Sequence, residues 1–386
     1  MLDTSRILYS YNDVMIKPAV ISNVTSRSEC NPFLENGKLP IFTAPMSTVV
    51  NLENRQLFED NHINTILPRN IDFNERYQSV LRGEWAAFSL NEFIEKFCGY
   101  TYITNNTETP WRVLIDIANG HMKKLYDAVV EAKKIHGNKI EIMVGNIANP
   151  ETYKIAYETG CWGIRCAIGQ GEGCVTASNT GCYYGIVSLL DEIYKIKKEI
   201  LRDLTKKSLE LFPDDDEKAL EWLEIEKEKL PKIIADGGIK NFSHINKALG
   251  LGADYVMIGG LFASLLESAG DICVLNDDGT LHKKFENQTR IKEKLAKHGW
   301  QGTYKEFYGM ASREGQIAIN GEKTKTSEGI KKYLPIIGTV KQWTTNMADY
   351  LRSAMSYCNV RDIKNFNPEN VDLILISNNT KESINK

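Results

Sequence analysis

The chain lacks any apolar run long enough to cross a bilayer. It also lacks a basic N-terminal region followed by an apolar stretch, so Met1 to Tyr11 does not read as a secretory signal. No Cys-x-x-Cys pair occurs among its eight cysteines, and its six histidines are dispersed without zinc-site spacing. Scattered cysteines in a chain this large imply reduced thiols and a cytoplasmic location, not a disulfide framework. Nor is there a basic excess. With 47 Lys and Arg against 50 Asp and Glu, the net charge of −3 argues against nucleic-acid binding. It leaves room for a local basic site that takes a phosphate. What remains is an average soluble composition, 42% hydrophobic and 25% charged, over 386 residues.

The main regularity is a repeat of short apolar runs followed by amphipathic stretches. Strands are expected at Leu39–Pro45, Ile63–Leu67, Ala86–Leu90, Arg112–Ala118, Ile140–Ile147, Trp162–Ile168, Lys232–Gly238 and Asp254–Gly260. Their Ile and Val content suits parallel strands covered on both faces. Helices are expected at Gly120–His136, Asn149–Glu158 and Ser243–Leu249, with Pro150 just inside the start of the second. Eight such units predict an α/β fold, a (β/α)₈ TIM barrel forming a single domain over residues 1–386. A doubly wound open sheet is the alternative. Two segments depart from the repeat. Ser188 to Lys229 is highly charged and reads as a helical insertion, about 190–230, broken at Phe212–Asp216. Phe307 to Lys332 follows the last strand and reads as a flap over the barrel's carboxyl-end face.

Three strand ends carry candidate chemistry. Gly169 to Thr176, Gly-Gln-Gly-Glu-Gly-Cys-Val-Thr, places Cys174 where barrel enzymes keep their active sites. This is not a dinucleotide G-x-G-x-x-G fingerprint, because the spacing is wrong. A buried structural cysteine is the competing reading. Gly237-Gly238 and Gly259-Gly260 end the seventh and eighth strands, where backbone amides can cradle a phosphate. Tight turns needing positive φ are the competing reading there. Asp236 beside the first pair could accept from ribose hydroxyls. Asp116 and Asn119 end the fourth strand and could face one ligand or cap the helix that begins near Gly120, and capping is the expectation. His121 reads as a surface residue and not as a base.

Together these runs resemble the family of IMP dehydrogenase and GMP reductase. The resemblance spans roughly Tyr11 to Phe366, apart from the insertion. It rests on Asn12-Asp-Val14 with Lys17-Pro18, Ala44-Pro-Met46, Gly145-Asn146, the Cys174 loop, Ala235 to Gly238 and Glu306 to Met310. Ser26 to Glu29, Asp116 to Gly120, Gly259-Gly260, Glu267-Ser268, Ser327 to Gly329 and Arg352-Ser353 with Tyr357 resemble the reductase branch. No CBS pair is present within these residues, and the flap has no Arg-Tyr pair, the dehydrogenase device for activating water.

The resemblance implies reductive deamination of GMP to IMP and ammonia with NADPH. Cys174 would attack carbon 2 of the purine and form a covalent thioimidate, with Thr176 and Glu328 moving the proton. Met46, Asp236, Gly238, Gly259, Gly260, Met310, Ser327 and Gly329 would bind substrate. Asp116, Ala118, Asn119 and Gly120 would meet the cofactor. Ser353 and Tyr357 would reach it from a neighbouring subunit of a homotetramer. Carbonyls of Gly169, Gly171 and Cys174 would hold a potassium ion. The rivals are oxidation of IMP to XMP with NAD, a reductase acting on a deoxy- or modified purine nucleotide, and a nucleotide-binding protein that has lost catalysis.

The chain departs from the family pattern at four places. Glu172 stands where a phosphate-contacting serine is usual; its carboxylate would repel a phosphate, so either Glu172 swings away or the substrate differs in that region. Ser47 replaces an aspartate. Pro68-Arg-Asn70 replaces a His-Lys-His run near the cofactor, with Arg69 as the substitute cation. Lys325 replaces an arginine and loses its bidentate fork.

Overall fold

The apolar runs become eight short parallel strands. They are β1 (Ile41–Thr43), β2 (Ile66–Leu67), β3 (Trp85–Phe88), β4 (Trp111–Asp116), β5 (Ile140–Ile147), β6 (Gly163–Cys166), β7 (Lys232–Asp236) and β8 (Tyr255–Ile258). Each pairs in parallel with the next from β2 to β8, and β8 pairs with β1. A parallel bridge between Phe42 and Asn64 joins β1 to the approach of β2 and closes the ring. This closure decides for the (β/α)₈ barrel over an open sheet. The computed structural model describes residues 7–99, 109–275, 281–283, 302–321 and 325–384. Residues 1–6 and positions 322–324 of the expected flap lie outside them.

The barrel interior is filled from its amino end. Phe42, Trp85, Trp162 and Tyr255 form a mutually touching aromatic plug, with ring centroids 4.7 Å apart for Trp85 and Trp162 and 4.9 Å for Phe42 and Tyr255. Trp85 and Tyr255 are the first residues of their strands, so the plug lies at the strands' amino ends. The carboxyl ends are left to open onto a cavity.

The helices pack outside. Lys123–His136 buries Leu125, Tyr126, Ala128, Val129 and Ala132, a face at helical spacing. It starts later than the sequence suggests because Gly120 N–H donates to the Asn146 carbonyl at 2.8 Å, which ties its approach to β5. The helix expected from Asn149 likewise begins only at Thr152. Pro150 sits in the preceding turn, where Tyr153 N–H donates to its carbonyl at 3.0 Å, a bond of the tighter i→i+3 type. Phe242–Gly250 matches the third expectation.

The charged insertion is a helical hairpin of Ile186–Leu211 and Asp216–Glu228. Pro213 breaks it, and the Asp215 carboxylate caps the second helix by accepting from Lys218 N–H at 3.0 Å. After β8 the chain builds a small antiparallel sheet that includes Ile272–Leu275, Thr303–Tyr308 and Lys331–Pro335, with helix Arg313–Asn320 between the last two. The expected flap, Phe307 to Lys332, is the later part of this unit, which begins earlier with Ile272–Leu275. Near the amino terminus, Val14–Lys17 pairs antiparallel with Asp372–Leu375. Among the described residues, no helix is long and apolar enough to cross a membrane.

Candidate active site

A cavity of about 520 Å³ opens at the carboxyl ends of the strands. Cys174, Thr176 and Glu328 line it, together with Met46, Asp116, Ala118, Asn119, Gly169, Gly171, Asp236, Gly238, Gly259, Gly260 and Met310. Most of the residues picked out by sequence therefore meet in one place. Such a volume lies in the ordinary range for a small-molecule site.

The cysteine loop and the flap are stitched together through their backbones. Val175 N–H donates to the Glu328 carbonyl at 2.9 Å, and Ile330 N–H donates to the Gly173 carbonyl at 3.0 Å. Cys174 and Gly329 thus form an antiparallel bridge. The approach is close because both strands are glycine-rich. A Cβ on Gly329 would lie 2.7 Å from Ser312 N and 3.0 Å from Gly173 O. The bridge carries the Glu328 side chain to the cysteine. The Cys174 thiol donates to Thr176 Oγ1 at 3.2 Å, and Thr176 Oγ1 donates to Glu328 Oε2 at 2.7 Å. A continuous path for a proton runs from sulfur to carboxylate.

The centre of the cavity is organised by a residue that sequence reasoning passed over. Arg165 in β6 is 7% exposed. It donates to Asp236 Oδ2 from Nε at 3.0 Å and from Nη2 at 2.8 Å, and to Asp116 Oδ1 from Nη1 at 2.5 Å. Asn146 Nδ2 also donates to Asp236 Oδ2, at 2.7 Å. Burial works against the guanidinium charge, but Asp236 and Asp116 outweigh it and raise its pKa further. The missed signal was an arginine inside an otherwise apolar strand, which requires buried partners. Asp116 is therefore bound to Arg165 and does not cap a helix. Asn119 Oδ1 accepts from His121 N–H at 3.1 Å, and the helix that follows has no side-chain cap at Met122. The capping expectation fails because the chain from Ile117 to Gly120 is held to β5 first. Both ring nitrogens of His121 are engaged, Nε2 accepting from Ala148 N–H at 3.0 Å and Nδ1 lying 3.1 Å from Thr152 Oγ1.

At the end of β7, the tight-turn reading of the first glycine pair has support. Gly237 and Gly238 have φ of 95° and 73°, so the turn itself needs glycine. At Gly259 and Gly260 an added side chain would instead have to displace the flexible end of a neighbour. A Cβ on Gly259 would lie 2.9 Å from Met46 Sδ, and one on Gly260 would clash with Glu172 Oε2. On the opposite side, Arg69 reaches the Asp116 carbonyl from Nη1 at 3.4 Å, while its buried Nε has no hydrogen-bond partner. Ser47 Oγ lies 3.6 Å from Met310 Sδ.

Five expected residues do not line this cavity. Ser327 turns inward on the flap, its hydroxyl donating to the Gly329 carbonyl at 2.7 Å. Gly329 is in the bridge, and Gly120 lies under the Asn146 carbonyl. Ser353 Oγ donates to the Asp349 carbonyl at 3.0 Å, and Tyr357 is 67% exposed on the same helix, Val340–Tyr357. Among the described residues, no group of three or more His, Cys, Asp or Glu is placed to hold a metal ion.

A family model described as the IMP dehydrogenase / GMP reductase domain matches residues 111–202 and 219–385. The gap between the two spans falls on the tip of the helical hairpin. A protein named GMP reductase from Staphylococcus epidermidis is 28% identical over 383 residues, 96% of this chain and 97% of that protein. One from Bacillus licheniformis is 28% identical over 380 residues, with the same coverage. One from Helicobacter pylori is 27% identical over 381 residues, again with the same coverage.

Proposed function

The chain belongs to the IMP dehydrogenase / GMP reductase family, and on that premise we propose that it is a purine nucleotide oxidoreductase of the reductase kind. Its reference reaction is GMP plus NADPH and two protons giving IMP, NADP⁺ and ammonium. The observation that carries this reading is the hydrogen-bonded path from Cys174 through Thr176 to Glu328. It supplies a nucleophile and a proton carrier at the same cavity wall. The flap sequence supplies no Arg-Tyr pair to activate water, which favours reduction over hydrolysis of the intermediate.

Cys174 loses its proton along the path and its thiolate adds to carbon 2 of the guanine ring. The same path, run in reverse from Glu328 through Thr176, gives a proton to the 2-amino group, which leaves as ammonia. The covalent thioimidate remains. NADPH, when bound, supplies the hydride that replaces the amino group, and the thiolate then departs. Asp236, held by Arg165 and Asn146, offers its remaining acceptor capacity to the ribose hydroxyls. Asp116, Ala118 and Asn119, which line the cavity, would meet the cofactor, and Arg69, whose buried Nε has no partner, would serve as the cation near it. Gly120, Ser353 and Tyr357 would contribute to that cofactor from outside this cavity, the last two across a subunit interface of a homotetramer. The carbonyls of Gly169, Gly171 and Cys174 would hold a potassium ion and so steady the cysteine loop. Gly169 suits this with φ of 74°, since a Cβ there would lie 2.5 Å from the Ala177 side chain.

A second reading is favoured by Glu172, whose carboxylate lies against Gly260 at the expected phosphate end. It keeps the guanine chemistry and changes the far end of the substrate. The test of the shared chemistry is NADPH oxidation, followed by absorbance, with guanine compounds and with ammonia measured in parallel. Stoichiometric ammonia that vanishes in Cys174→Ala supports it. Formation of XMP from IMP and NAD would instead establish the dehydrogenase. Tight purine binding with no turnover would make the chain a binding protein.

A further inference from the structure

Glu172 stands where the family places a serine against the substrate phosphate. Its Oε2 lies against Gly260, close enough that it would have to move for a side chain there. Of the backbone donors expected at this end, that of Gly238 is already engaged, because its N–H donates to the Gln170 carbonyl at 2.9 Å. Gln170 is itself anchored, its Nε2 donating to the Tyr184 carbonyl at 2.6 Å. The protein's own loop therefore brings one neutral oxygen and one carboxylate to the two glycines. Lys332 Nζ is 3.9 Å from the outer oxygen of Glu172, and both side chains are partly open to water. A screened pair at that distance does little to offset a second anion.

We propose that Glu172 sets the substrate class, so that the site takes a guanine nucleoside ending in an uncharged 5′-hydroxyl in preference to the nucleoside monophosphate. This rests on the guanine chemistry proposed above and alters only the end of the ligand remote from carbon 2. A hydroxyl donates to a carboxylate in a charge-assisted hydrogen bond. A phosphate monoester has no such proton to give near neutral pH and brings two negative charges against a third. Serine at this position would donate to phosphate, whereas Glu172 can only accept. The Arg165–Asp236 group that meets the ribose is the same for both ligands.

The experiment measures binding by calorimetry, with guanosine and GMP as probes, on the wild type, Glu172→Gln and Glu172→Ser. Gln keeps the shape and removes the charge, so it separates repulsion from crowding. The wild type is expected to bind guanosine more tightly than GMP. Both substitutions are expected to raise affinity for GMP by on the order of 10-fold, the size of a removed like-charge contact that water partly screens. A wild type that binds GMP as tightly as guanosine, or more tightly, overturns the nucleoside preference and leaves the guanine chemistry standing. Unchanged GMP affinity in both variants overturns it too, because the charge then excludes nothing. A folded wild type that binds neither probe overturns the guanine reading itself, and this inference falls with it.

Discussion

Arg165 donates twice to a single oxygen of Asp236, from Nε at 3.0 Å and from Nη2 at 2.8 Å. Its third contact, to Asp116 at 2.5 Å, ties β6 to both β4 and β7 across the barrel mouth. One cation thus balances two carboxylates that would otherwise face each other. It leaves Asp236 oriented and still able to accept.

Removing that cation should be costly. In Arg165→Met the two carboxylates lose their partner at a largely buried position on the cavity wall. The expected loss is about 3–5 kcal/mol of stability, as when one member of a buried ion pair is deleted. Urea unfolding would read it directly. Arg165→Lys keeps the charge but cannot reproduce the fork, so it should be less destabilised and still lose ribose binding. A Met variant as stable as the wild type would show that the triad is not balanced in this way.

The proton path from Cys174 makes a sharper kinetic prediction. Thr176→Ala and Glu328→Gln should each lower kcat by about 10²–10⁴, the usual worth of a positioned acid or base. The double variant should be little worse than either single one, since both act on one path. Cys174→Ala should bind purine and turn nothing over. Rapid-quench single turnovers would separate these effects from product release. Additive losses in the double variant would mean that Thr176 and Glu328 act apart.

Much of this was legible before any coordinates. Runs such as Ile140–Ile147 are mostly apolar and rich in Ile and Val, as buried parallel strands are. The strand ends then follow, and with them Cys174, Asp236 and the glycine pairs. Arg165 was not legible, because its partners Asp116 and Asp236 are 49 and 71 residues away in the chain. Neither was the fate of Asp116, since a helix cap and a buried ion pair look alike in sequence. The start of the helix at Lys123 was hidden for a similar reason, being set by a backbone bond from Gly120 to Asn146. Glu172 was visible as a departure, but its contact with Gly260 needed the fold.

Closure of the flap depends on glycine at position 329. Its missing side chain lets the flap reach Gly173 and deliver Glu328 to Thr176. Gly329→Ala should leave the barrel folded, because the clash is local to Ser312 and the loop. The carboxylate would still be displaced, and a displacement near 1 Å can cost roughly 100-fold in rate. Steady-state kinetics beside a thermal melt would check it. Full activity in this variant would mean that the flap need not close on the cysteine loop.

His244 should make the fold sensitive to acid. It is 4% exposed, and its pKa is pushed down from 6.5 to about 4, first by burial and then by Lys247 and Lys240 nearby. A backbone hydrogen bond to Gly238 opposes that shift without reversing it. Nδ1 lies 3.1 Å from the Gly238 carbonyl, and Nε2 lies 3.1 Å from Asn12 Oδ1. Above pH 6.5 the ring is neutral in both folded and unfolded chains, so its full contribution is present. As pH falls from 6.5 towards 4, the unfolded chain takes up a proton that the folded chain refuses. Stability is therefore lost across that window, by about 3 kcal/mol for a shift of this size. His244→Gln cannot titrate and should lose less stability over the same window in urea unfolding. Because Gly238 sits at the end of β7, the wild type should also bind purine more weakly as it nears pH 4. Parallel losses in wild type and variant would assign the acid sensitivity to the carboxylates instead.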